Sequence, residues 1–328
     1  MKIVITGGGG FLGSMLCEKL LERKSVVGPS GYPQPIDQIV LLDGLFPAPP
    51  TSDCVRQVHC DISDRDAVMA EVGAAAEVSI FHLASMVSGE CEERFDDAMR
   101  VNLDGGRNVF EAARRAAGHP RVVFASSIAC FGGDEMPAQF SDRSKQIPQT
   151  TYGMTKAICE LLVNDHSRKR HFDGRSARLP TVIVRPGKPN AAASSWASGM
   201  FREPLAGEAC HLPIHRDQCH PMTGYRTVID SLVALHELDQ AVLGKDRAVG
   251  LPAHCVTPQI AEKIVGEVAA QRGLEAGPMV DAFDARIQGI VDGWPTDIDG
   301  ARAIRLGLPQ PPSLKEIIEQ YLDDFIVN

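Results

Sequence analysis

Nowhere does the chain run to about 20 consecutive apolar residues, so the sequence supplies no membrane-spanning helix. A basic excess is missing too: 33 lysines and arginines stand against 42 aspartates and glutamates, a formal net charge of −9. Nucleic acid and anionic membranes both call for a basic face, so neither is an expected partner. No charged segment with an apolar signal core opens the chain. Met1 leads at once into a strand-like run, and a cytoplasmic protein is expected. The nine cysteines include no C-x-x-C pair and are odd in number, which reads as free thiols in a reducing compartment, with no disulfides. Repeats and low-complexity tracts are absent as well. Aromatic residues make up only 5%, with four tyrosines. A tyrosine placed four residues before a lysine therefore stands out.

One cluster invites a metal reading, because Cys210, His211, His215, Cys219 and His220 fall within eleven residues. Pro213 and Pro221 argue instead for an irregular loop beside a pocket, and no metal is expected.

What is present begins with Lys2-Ile-Val-Ile-Thr6, a short buried strand that runs into Gly7-Gly-Gly-Gly10-Phe11-Leu12-Gly13. Ser14 to Glu22 then places Leu16, Leu20 and Leu21 on one helical face. The glycines thus sit at a strand-to-helix turn, where Gly7 makes the bend, Gly10 lets the backbone approach a pyrophosphate and Gly13 permits close packing. This is a dinucleotide site. Gln38-Ile-Val-Leu-Leu-Asp43 reads as a second buried strand closing on a carboxylate, which accepts from ribose hydroxyls and repels the extra phosphate of NADP. No arginine follows it, so NAD is the expected cofactor. Asp43 lies 30 residues past Gly13 because Val27 to Pro35, rich in turn formers, reads as an inserted surface loop.

Tyr152-Gly-Met-Thr-Lys156 puts a phenol and an ammonium on one helical face, 25 residues after Ser127. The cation is expected to lower the phenol pKa, so that Tyr152 removes the proton of an alcohol held by Ser127. Ser126 points to the other side of an extended strand and meets a ligand only if the strand ends early.

These segments together resemble the extended branch of the short-chain dehydrogenase/reductase family over most of the chain. The resemblance implies a catalytic set of Ser127, Tyr152 and Lys156, with Asn102 in Met99-Arg-Val-Asn102 bracing the central strand and the lysine. It also implies cofactor contacts from Asp61 and Ile62 in His59-Cys-Asp61-Ile62, from Leu83, Ala84 and Ser85 at the end of a strand, and from Pro186 in Val182-Ile-Val-Arg185-Pro186. Phe131 replaces a tyrosine common in nucleotide-sugar epimerases of this branch, and Lys188 stands where many of them carry asparagine.

Strands and helices alternate to about residue 187, which calls for an α/β fold: a doubly wound parallel sheet of Rossmann type over 1–187, followed by a smaller substrate lobe over 188–328 interleaved with it. Helices are expected at Phe95 to Ala117, Tyr152 to Arg170, Val228 to Leu243, Pro258 to Ala270 and Asp297 to Leu306, and Ser313-Leu-Lys-Glu316 opens the last helix with a capping box. In similar proteins the first two of these helices pack against their copies, which implies a homodimer through a four-helix interface.

Three substrate classes share this cofactor site. Arg178 to Ser195 and Arg202 to Gly207 resemble family members that oxidise the C2 hydroxyl of a small sugar acid with NAD. For such a carboxylate, Lys188, Asn190, Ser194 and Ser195 are the expected contacts, with Ser126, Ser127 and Tyr152 at the reacting end. A nucleotide-sugar epimerase or dehydratase would need Arg202, Arg216 and Arg226 on a diphosphate. A uronate dehydrogenase would have a tyrosine-arginine pair where this chain has Trp196-Ala197. A catalytically silent NAD-binding regulator is the non-enzyme alternative, against which the complete Ser127, Tyr152, Lys156 set counts.

Overall fold

The computed structural model describes residues 1–28, 30–73, 77–189 and 192–326. Within them, short aliphatic runs form a seven-stranded sheet paired in parallel throughout. Val78–His82 is buried at every residue, as a strand covered by helices on both faces must be. Across the sheet the strands run Ala248–Gly250, Asp173–Leu179, Arg121–Ser127, Val78–His82, Lys2–Thr6, Gln38–Asp43, Val55–His59. From Lys2–Thr6 the chain winds first toward Val55–His59, then returns to Val78–His82 and winds the other way. The crevice at the carboxyl ends of these two neighbours is where such a sheet takes its ligand.

Beyond residue 187 the chain contributes to two cores. The helix Tyr225–Glu237 lays Val228, Leu232 and Val233 against Leu16 and Leu20 of the first helix, Phe11–Arg23, and Ala248–Gly250 closes the edge of the main sheet. A second core gathers Trp196, Phe201, Met222, Val265, Ile317 and Tyr321. Between the two, Thr181–Ile183 pairs with His220–Gly224, which pairs in turn with His254–Val256.

Several elements differ from expectation. The helix expected at Phe95 to Ala117 is a succession of Phe95–Ala98, a π-helical Met99–Asp104 and Gly105–Arg115. Asn102 lies in the π turn and uses its amide on the chain that follows the strand Val78–His82. The stretch Val228 to Leu243 divides into Tyr225–Glu237 and Gln240–Leu243, because Asp239 caps a new turn by accepting from Ala241 N at 2.8 Å. The inserted loop at Val27 to Pro35 holds an antiparallel pair, Ser25–Val27 with Pro33–Pro35. The Pro/His-rich loop also contains strands, Cys210–Leu212 and His220–Gly224, whose partners lie far away in sequence. The same pairing corrects the expectation of nine free thiols. Cys219 and Cys255, with Cα atoms 5.7 Å apart, are joined as a disulfide, and the other seven are free.

Elsewhere the elements fall near their expected positions: Thr151–Arg168, Pro258–Arg272, Ala301–Arg305 and Leu314–Phe325, the last opened by a capping box between Ser313 and Glu316. Among the described residues no helix is long and apolar enough to cross a membrane. Among the same residues no three His, Cys, Asp or Glu side chains converge as a metal ion would require.

Candidate active site

The glycine turn connects the first strand to the first helix at the crevice. Gly7 holds φ at +74°, and a β-carbon there would lie 2.7 Å from Ala84 N, so only glycine lets this turn nest against the end of Val78–His82. Gly10 precedes the helix with no side-chain cap, and the first helical turn carries no acid. Its backbone N–H groups and the positive end of the helix dipole thus face a cleft rather than a carboxylate, a cradle suited to a diphosphate. Asp43 closes the adjacent strand. Its Oδ2 accepts from Gly9 N at 3.0 Å and its Oδ1 from Leu45 N at 3.3 Å, which fixes the carboxylate beside the turn.

The reacting groups come from the next strand and the helix after it. Arg121–Ser127 ends at Ser127, whose Oγ accepts from Ala129 N at 3.1 Å and caps a single 3-10 turn, Ile128–Cys130. Thr150 caps the helix Thr151–Arg168 through Gly153 N at 3.1 Å, a contact worth about 1 kcal/mol. Gly153 also lets that helix touch the serine turn, since a β-carbon there would meet Ala129 O at 2.0 Å. The close approach sets Tyr152 beside Ser127. One turn on, buried Lys156 donates to Ala125 O at 2.8 Å, with Nζ 4.9 Å from the centre of the Phe124 ring and 5.4 Å from that of Tyr152.

Burial dominates the electrostatics of this pair. It raises the Tyr152 phenol, with the Cys130 and Cys91 thiols adding to the rise and a hydrogen bond with Ser127 opposing it. It draws the Lys156 ammonium down to about 8. The expected lowering of the phenol by the lysine is therefore outweighed: removing both groups from water favours the neutral form of each.

A cavity of about 360 Å³, within the size range of small-ligand sites, brings together Gly7, Gly10, Phe11, Leu12, Gly13, Leu83 and Ser85 at one end with Ser126, Ser127, Tyr152, Lys156 and Ser194 at the other. Asp43, Asp61, Ile62, Ala84, Asn102, Pro186, Lys188 and Ser195 lie outside its lining. Asp61 accepts from Ser63 N and Oγ and forms an ion pair with Arg100 at 2.8 Å, while Ile62 is buried against Gly105. Asn102 is buried; its Oδ1 accepts from Met86 N at 2.7 Å and its Nδ2 donates to Met86 O at 3.2 Å, so it clamps the chain that leaves Val78–His82. Asn190 lies outside the described residues. Ser126 uses its hydroxyl behind the site, donating to Glu160 Oε1 at 2.5 Å. Glu160 also pairs with Arg178 at 2.8 Å, both buried under the serine strand, and Arg178 pairs with the partly buried Asp142 at 3.1 Å.

Lys188 is exposed, and its carbonyl accepts from Arg185 Nη2 at 2.7 Å. Arg185 is the cation on the cavity wall in its stead, and no carboxylate pairs with it among the described residues. Desolvation lowers its pKa, and so does Arg202 behind it, which donates to the Arg185 carbonyl at 3.0 Å and pairs with Glu203. Ser88, Thr181, His220 and Trp294 complete the wall. Four separate segments supply these residues, and none carries a local motif. For Arg185 one signal existed, its place at the end of the strand-like Val182-Ile-Val.

The sequence model of the NAD dependent epimerase/dehydratase family matches residues 3–221. D-erythronate dehydrogenase of Cupriavidus necator is 40% identical over 332 positions, covering 99% of this chain and 98% of that protein. Its counterpart from Haemophilus influenzae is 36% identical over 325 positions, covering 98% and 99%. Among solved structures, the nucleoside-diphosphate-sugar epimerase from Agrobacterium tumefaciens is similar with a TM-score of 0.87 at 35% identity, over 99% of this chain and 94% of that one.

Proposed function

Because the chain belongs to the NAD dependent epimerase/dehydratase family, we propose that it is an NAD-dependent dehydrogenase oxidising the C2 hydroxyl of D-erythronate, a four-carbon sugar acid, to the 2-oxo acid. The observation that carries this reading is one cavity lined at once by the glycine turn, by Ser127, Tyr152 and Lys156, and by Arg185, which no carboxylate neutralises among the described residues. Two relatives named D-erythronate dehydrogenase, similar along nearly their whole length, support the choice of acid.

The glycine turn and the amino end of the first helix would hold the NAD diphosphate, and Asp43 the adenosine ribose. Bound NAD supplies the acceptor for the hydride that leaves C2. Ser127 and Tyr152 hold the hydroxyl oxygen, and Tyr152, acting from its phenolate form, takes the hydroxyl proton as the C2–O bond becomes a carbonyl. Lys156, held by Ala125 O, keeps a cation next to the phenol when protonated and so opposes the rise that burial imposes. Arg185 takes the carboxylate in a charge-assisted hydrogen bond, the role first expected of Lys188. Ser194, at the same wall, supplies a hydroxyl contact.

The name of the Agrobacterium protein favours a second reading, a nucleotide-sugar epimerase. The arginines that such a diphosphate would need are engaged elsewhere: Arg202 with Glu203, Arg216 with Glu262 and Asp281, Arg226 with Asp324. NADH absorbance separates the readings when the protein is offered D-erythronate, uronates and UDP-sugars, with a parallel check for epimerisation without net NADH. The expected result is turnover of D-erythronate that Tyr152→Phe reduces at least about 1000-fold while NAD affinity stays within twofold, since general-base removal is worth roughly 10²–10⁴ in rate. Retained turnover in that variant contradicts the assignment.

The reading also includes a cytoplasmic homodimer joined through the helices Phe95–Ala98, Gly105–Arg115 and Thr151–Arg168. Phe95 and Leu161, exposed by 53% and 62%, support it as apolar side chains on those helices.

A further inference from the structure

Two residues of the cavity lining, His220 and Trp294, each hold a buried nitrogen without a partner among the described residues. His220 is 1% exposed; its Nε2 lies 2.6 Å from Thr181 Oγ1, and its Nδ1 has no hydrogen-bond partner among the described residues. Trp294, 8% exposed, leaves its Nε1 unpaired in the same way. The two rings are neighbours, with centres 5.3 Å apart and planes inclined by 40°, and Thr181, His220 and Trp294 all line the cavity that contains Ser127 and Tyr152. A buried polar group left unpaired is destabilising, because it has given up its bond to water and gained none in return. Two such groups side by side on a catalytic cavity indicate a ligand that satisfies them.

The chemistry of that ligand follows from what the nitrogens offer. An indole N–H only donates, and a neutral imidazole has one donor and one acceptor. Burial drives the His220 pKa down to about 3, so the ring is neutral at physiological pH. An alkyl group would leave both nitrogens unpaired, and the substrate carboxylate, which can accept but cannot donate, is already placed on Arg185. A hydroxyl does both: it accepts from Trp294 Nε1 and donates to His220 Nδ1, whose Nε2–H then donates to Thr181 Oγ1. We infer that Thr181, His220 and Trp294 form the subsite for hydroxyls that the substrate carries beyond its reacting carbon. The enzyme thereby selects polyhydroxy acids over hydroxy acids with a bare alkyl chain. This inference rests on the sugar-acid oxidation proposed above.

The test compares kcat/KM for D-erythronate with that for 2-hydroxybutanoate of the same C2 configuration, which keeps the four carbons and the carboxylate but lacks the hydroxyls at C3 and C4. The wild-type chain is expected to prefer D-erythronate by at least about 100-fold, since a site built to bond a hydroxyl rejects the analogue without it. Trp294→Phe should cut that preference by roughly tenfold, about one hydrogen bond, mainly through KM for D-erythronate. Thr181→Val should act in the same direction, and it carries the test if circular dichroism finds Trp294→Phe misfolded. NAD affinity, read by calorimetry, should stay within twofold. Undiminished preference in the folded variants overturns the subsite, as does a fall in NAD affinity matching the loss of activity, which would assign the nitrogens to the cofactor. A wild-type chain that oxidises neither acid overturns the sugar-acid reading itself, and the subsite with it.

Discussion

Arg185 shows how one side chain acquires meaning from its surroundings. Its neighbour Arg202 is neutralised by Glu203, while Arg185, on the cavity wall, donates to the Lys188 carbonyl and meets no carboxylate among the described residues. A charge-assisted hydrogen bond lost to a carboxylate costs about 1.5–3 kcal/mol. Arg185→Gln should accordingly raise KM for D-erythronate roughly 10- to 100-fold and leave kcat less affected, as steady-state NADH kinetics will read. Arg185→Lys should recover only part of the loss, because the ammonium restores the charge without the planar fork. The pairing of Tyr152 with Lys156 was legible from spacing, since helix geometry dictates that residues four apart meet, and Ser127 was read from the family resemblance. Lys188 lies exposed outside the cavity lining, and the reason is one of packing. At the end of a strand, which of two nearby cations turns inward depends on what packs behind it, and here Arg202 lies behind Arg185.

At the scale of elements, the helix Thr151–Arg168 is positioned by a contact that its own sequence does not announce. The approach of Gly153 to Ala129 O brings Tyr152 to Ser127, and any side chain there pushes the helix away. Gly153→Ala is predicted to lower stability by about 1–3 kcal/mol through overpacking and to reduce kcat at least tenfold, because a displaced tyrosine loses its geometry. Denaturant unfolding and single-turnover NADH formation measure the two effects separately. The π turn at Met99–Asp104 was hidden for a related reason. Helical periodicity predicts one continuous helix, but Asn102 binds Met86 from a different segment, and only that tertiary bond distinguishes the bulged form. The strands at Cys210–Leu212 and His220–Gly224 escaped as well, since each is too short to alternate visibly and exists by pairing with distant partners.

Across the whole molecule, buried histidines set the response to acid. His82 and His220 are each driven down to about 3 by burial, and burial, with the cations of Arg175 and Arg121 adding to it, holds His236 well below its ordinary value. Each folded pKa lies below the unfolded one, near 6.5. The unfolded chain therefore binds more protons below that pH, and stability present above about 6.5 is lost as the pH falls toward 3. Each such histidine steepens the loss by about 1.4 kcal/mol per pH unit inside that window. His236→Leu should flatten the decline between pH 6 and 4.5 by about that slope relative to the wild type, with urea midpoints as the measurement.

The α/β class, the glycine turn, the carboxylate at Asp43 and the order of serine, tyrosine and lysine can be read along the chain. These are local patterns, written in the periods of strand and helix and in the demands of tight turns. That Arg185 rather than Lys188 lines the cavity, that Ser126 bonds the buried Glu160 beside Arg178, and that Thr181, His220 and Trp294 line the same cavity are matters of packing. Those choices depend on which distant segments pack together and on what burial costs each polar atom, and spacing along the chain carries no record of either.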